Sequence, residues 1–117
     1  MFSVVKLSGA LSKGEAVAFD AGLGVFAPSS SLATPLGVLQ EDARLDDASG
    51  QWVARVAFAG VAWALASRDI PDEGGELMVE DGKVYVDNSA DGAGIICPLP
   101  HDQETRLAGS LVMVHIR

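Results

Sequence analysis

Apolar and polar residues alternate along most of this chain, and the alternation stops at turns that carry glycine or proline. Gly75-Glu76-Leu77-Met78-Val79-Glu80 and Lys83-Val84-Tyr85-Val86-Asp87 flank Asp81-Gly82, a dipeptide that accepts the positive φ angles of a two-residue hairpin turn. An earlier stretch echoes it: Gly14-Glu15-Ala16-Val17-Ala18-Phe19-Asp20, a glycine-bearing turn, then Gly24-Val25-Phe26-Ala27. The echo continues downstream. Gly37-Val38-Leu39 answers Gly94-Ile95-Ile96, and Trp52-Val53-Ala54-Arg55-Val56-Ala57 answers Leu111-Val112-Met113-Val114-His115-Ile116. The pattern predicts an all-β fold, a small β-barrel or a two-sheet sandwich. It is built from a quasi-repeat of a hairpin plus two strands, over about 8–60 and 69–117 of a single domain spanning 1–117.

Between these landmarks the period-two rule places the remaining elements. Met1–Leu7 reads as a first strand with Phe2 and Val4 on one face, and it has no clear counterpart ahead of the second unit. As an alternative it is an arm reaching a neighbouring subunit. Residues 28–35 form a Ser/Pro loop, Leu36–Gln40 a short strand, and Glu41–Gly50 an acidic turn region. In Gln51–Leu65 two alternating sets meet at Gly60, as in two strands joined by a bend. The alanines make a short helix over 61–67 the alternative there. Trp52 and Trp63 are expected as core anchors. Further loops fill 67–74, 88–92 and 98–108, and the final strand runs from Leu111 to the last residue.

Composition sharpens the class. At 117 residues the chain suffices for one hydrophobic core, and thirteen glycines with five prolines suit short strands and tight turns. Eight basic residues against sixteen acidic ones give a formal charge of −8. That surface repels phosphate backbones, so nucleic acid is not expected as a direct partner. Val56–Ala66, the longest uncharged apolar stretch, is far short of the ~20 residues of a membrane-spanning helix. The N-terminus carries no signal-like pattern, so synthesis in the cytoplasm is expected.

Candidate chemistry is sparse. Cys97 stands alone, which excludes an intrachain disulfide, and it reads as a small buried hydrophobe. The four carboxylates of Glu41–Asp47 lack the spacing of a helix–loop–helix calcium site. His101, with Asp102 and Glu104, has no matching second cluster for a metal, and His115 faces away from Val114 and Ile116, toward solvent or a neighbouring subunit. There is no Gly-x-Ser-x-Gly elbow and no phosphate loop before a helix. Lys83 follows the Asp81-Gly82 tip, as the modified lysine does in lipoyl and biotinyl domains, but without their flanking pattern. No catalytic residue, metal or cofactor is therefore expected.

Leu11-Ser12-Lys13-Gly14-Glu15-Ala16-Val17-Ala18-Phe19-Asp20 followed by Pro35-Leu36-Gly37-Val38-Leu39-Gln40-Glu41-Asp42-Ala43 resembles the small head-decoration (cement) proteins of tailed phages. Phe58-Ala59-Gly60-Val61, Asp81-Gly82-Lys83-Val84 and Gly109-Ser110-Leu111-Val112-Met113-Val114 keep the same rhythm. The resemblance implies a β-rich module, often trimeric, on the outside of an icosahedral head, bridging major capsid subunits. The expected partners are the major capsid protein and further copies of the chain, and the expected location is the virion surface. Phe2, Val4 and Val5 are the candidate capsid or inter-subunit contacts. A ligand- or carbohydrate-binding β-module of a tail or fibre is the alternative, and an enzyme subunit with its active site between chains is a third.

Overall fold

The computed structural model describes residues 2–29, 36–70, 75–87, 95–97 and 107–116, with only the backbone described at Phe2, Leu36, Gly75 and residues 95–97. Eleven strands occur among these residues, and no helix. They are β1 (Phe2–Leu7), β2 (Ala16–Asp20), β3 (Val25–Pro28), β4 (Leu36–Leu39), β5 (Arg44–Asp46), β6 (Gln51–Ala57), β7 (Gly60–Leu65), β8 (Gly75–Glu80), β9 (Lys83–Val86), β10 (Ile95–Cys97) and β11 (Leu111–Ile116). The fold is all-β, with a closed small barrel.

The first sheet runs β1-β3-β2-β4-β6-β5, and β1 also pairs with β6, so five of its strands form a closed ring. β5 hangs on the outside of that order, paired to the start of β6. The second sheet runs β7-β11-β10-β8-β9, and its ring is closed by a single parallel bridge between Ala66 and Val84. That bridge matches the parallel pair Leu7–Phe26, which closes the first ring. In each case the next amide donates across the seam at 2.8 Å, Ser8 to Phe26 and Ser67 to Val84.

Pairing order is the same around both rings. The contacts Phe2–Ala57, Ala57–Val38 and Val38–Ala16 of the first correspond to Val61–His115, His115–Ile96 and Ile96–Glu76 of the second. Two expectations change as a result. β1 does have a counterpart, β7, so the equivalent stretches begin at these strands and not near residues 8 and 69. The equivalence also lies one residue away from the sequence echo, since Val53 rather than Trp52 takes the place of Leu111. A one-residue slip exchanges the two faces of a strand. It passes unnoticed here because β2 buries Ala16, Val17 and Ala18 consecutively, on both faces.

Apolar rows fill both rings. Leu7, Val17, Leu39, Ala54 and Val56 form the first core, with Val5, Phe26, Trp52 and Phe58 packed against it. Ala62, Ala64, Ala66, Leu77, Val79, Val84, Val112, Val114 and Ile116 belong to the second, and that cluster also takes in Ala16, Val38 and Ala57 from the first ring's outward row. The rings therefore share a core. Removing such rows from water is worth about 25 cal/mol per Å² of apolar surface. The short helix over 61–67 does not form. Gly60–Leu65 is strand β7, because Ala62 and Ala64 enter the second core at period two while Val61 and Trp63 face outward. Expected as a core anchor, Trp63 is instead exposed. Trp52 is half-buried against the first core.

Candidate interaction surface

The Asp81-Gly82 turn has φ of 50° and 80°, and it closes the Glu80–Lys83 pair of a two-residue hairpin. Its tip is not free. Gly82 accepts from the Ala16 amide at 2.7 Å and donates to the Ser29 carbonyl at 2.8 Å, so it plugs into the first ring. A Cβ on Gly82 would lie 3.3 Å from Pro28 Cβ, which leaves little room for any other residue. Lys83 is exposed but begins β9 beside this docked tip, unlike a lysine presented at the end of a protruding hairpin. A second tie lies nearby, where the Leu65 amide donates to the Gly14 carbonyl at 2.9 Å.

Carboxylates in the acidic stretch are engaged locally. Asp42 accepts from the Lys13 amide at 2.8 Å, Glu41 pairs with Arg44, and Asp46 accepts from the Ser49 hydroxyl at 2.7 Å. Among the described residues, no group of three or more histidine, cysteine or acidic side chains is placed to hold a metal. The stretch also contains β5, which sequence reasoning read as turn, because Leu45 is its sole apolar residue and faces solvent. The His101 cluster and the side chain of Cys97 lie outside the described residues.

Glu80 anchors the other polar constellation. The Arg68 guanidinium reaches both Glu80 oxygens at 3.2 Å and sits 4.0 Å from the centre of the Tyr85 ring. The Ser67 hydroxyl and then Arg68 hold the Glu80 carboxyl below its ordinary value. This exposed latch fixes the segment after β7 onto the β8–β9 hairpin.

The residues singled out for contact fall on β1. That strand pairs with β6 along its whole length, from Phe2–Ala57 to Leu7–Trp52, so it is an integral ring strand rather than an arm. β3 meets it through Leu7 alone, which leaves the other main-chain edge of Phe2–Lys6 without a strand among the described residues. Val4 is 59% exposed, whereas Val5 turns inward against the first core. The equivalent strand β7 carries Val61 and Trp63, which are 60% and 43% exposed. They lie opposite His115 and Met113 of β11. His115 is exposed there, on the face opposite Val114 and Ile116. Sequence reasoning missed this outward row because it assigned the tryptophan to the core. No protein-family model and no curated protein matches the chain.

Proposed function

We propose that the protein decorates and stabilises the exterior of a phage or phage-like capsid, as a homo-oligomer, most simply a trimer, that bridges major capsid subunits. The observation that supports this most is the outer edge of β1, which no strand covers over Phe2–Lys6 among the described residues. An open strand edge is a template for pairing with another chain, and soluble proteins usually cover or blunt such edges. Here it comes with exposed Val4 and an intact hydrogen-bonded partner on the other side, which leaves the strand preformed for main-chain recognition. Little entropy remains to be lost when a preformed strand is engaged.

A shared core across two rings supplies the stiffness such a role requires. A protein that binds the assembled shell and not its free subunits shifts the assembly equilibrium by mass action. Within this reading Phe2 and Val4 offer the main-chain edge, and Val4 a side chain as well, because Ser8, of the same parity, donates across the seam to Phe26; the main chain of the third candidate, Val5, turns to Ala54 of β6. Purified protein is expected to sediment with assembled heads saturably and to ignore unassembled capsid subunits. Val4→Pro removes an amide donor and should weaken that binding at least tenfold if the edge is the contact. Equal binding to free subunits, or none to heads, refutes the proposal.

A further inference from the structure

We propose that the outer face of β7 and β11 is a docking surface for a second copy of this chain. Four positions on this pair point outward and away from the first ring, Val61 and Trp63 opposite His115 and Met113, while the next pair, Leu65 and Leu111, lies against Gly14 of the first ring. None is an Asp, Glu, Lys or Arg, on a chain whose formal charge is −8. Two such chains repel each other over most approaches, and burying a carboxylate between them without a partner is costly. The β7–β11 face is a place where two copies meet without burying a charge. A strongly basic partner would find no carboxylate on it to pair with. An acidic body with its own uncharged row, which is this chain itself, fits.

The first ring shows that this row can carry a ring-to-ring contact. Ala57 occupies the position equivalent to His115, and it is buried in the core shared with the second ring. Farther along the equivalent strands, exposed Arg55 and Lys6 stand where the second ring has Met113 and Leu65. Cations thus interrupt the row on the first ring, and no charge does on the second. Trp63 supplies the large, rigid and partly polar anchor typical of the centre of an interface.

Sedimentation velocity across a concentration series tests this without any capsid. The native chain should rise from 12.1 kDa to a multiple of that mass. Trp63→Lys should stay at one chain, while Trp63→Phe, which keeps an apolar ring, should still associate. Leu45→Lys makes the same kind of change on exposed β5 and should leave association intact; thermal melts by circular dichroism confirm that each variant folds. A native chain that remains at 12.1 kDa at its highest soluble concentration overturns the proposal, as does a Trp63→Lys variant that associates normally. If the native chain is a single copy and Trp63→Lys loses head binding, the face belongs to the shell protein. Self-docking is then wrong, and with it the oligomer in the decoration reading, while attachment to the shell survives. Association through this face without head binding has the reverse meaning.

Discussion

Gly14 and Gly60 separate two reasons for a glycine. Both have positive φ, 91° and 86°. A Cβ on Gly14 would meet Leu111 Cδ2 at 2.5 Å and Leu65 Cγ at 3.0 Å, whereas one on Gly60 would meet nothing within 4 Å. Gly60→Ala should therefore cost only the left-handed backbone penalty, about 1–2 kcal/mol. Gly14→Ala adds overpacking between the rings, a further cost of about 1–3 kcal/mol. Urea denaturation of the two variants, read as the shift in midpoint at constant slope, checks the ranking. Glu80 gives a pH signature at the same scale. Its folded pKa is lowered, first by Ser67 and then by Arg68, so its contribution is present above the unfolded pKa and lost as pH falls through the folded one. The stability gap between the native chain and Glu80→Gln should accordingly narrow as pH drops from neutrality through the carboxylate range. A gap that widens on acidification would show that the latch does not act through the ionised carboxyl.

At the level of strands, β6 and β11 are held on both sides. β6 lies between β1 and the pair β4 and β5, and β11 between β7 and β10. Opening either requires breaking two ladders, so their buried amides should exchange slowest in native-state hydrogen exchange. The outer-edge amides of β1 should exchange orders of magnitude faster. The strands other than β5 were legible because alternation survives wherever one face is wet: Val112 and Val114 enter the core while Met113 and His115 face outward. The Asp81-Gly82 turn was legible from its dipeptide alone. Other features were not, each for a physical reason. The equivalence of β1 and β7 is hidden because alanines at 64 and 66 replace the larger Val5 and Leu7 at ring-lining positions. The one-residue offset is hidden by strands that bury both faces. Trp63 was misplaced because size and apolarity favour burial, while its parity on β7, fixed by the inward alanines, puts it outside. The candidate contact strand was legible as a strand, but an edge that no described strand covers was not. That edge follows from β3 reaching β1 only at Leu7, a register set by the chain as a whole.

On the scale of the whole molecule, two equivalent rings act as one body. The second core takes in Ala16, Val38 and Ala57 of the first ring, and Gly14 and Gly82 add main-chain bonds across the joint. Such a joint resists sliding, which suits a protein proposed to bridge shell subunits. A ligand that binds only the intact shell stabilises it by RT ln(1 + [L]/Kd), about 2.7 kcal/mol at a hundredfold excess over Kd. Calorimetric melting of expanded heads, with the protein titrated from none to saturation, reads this term directly. The shell transition should rise with the logarithm of free protein above Kd, and the rise should shrink for Val4→Pro at equal concentration. A shell transition that stays fixed while the protein is bound would contradict stabilisation as its role.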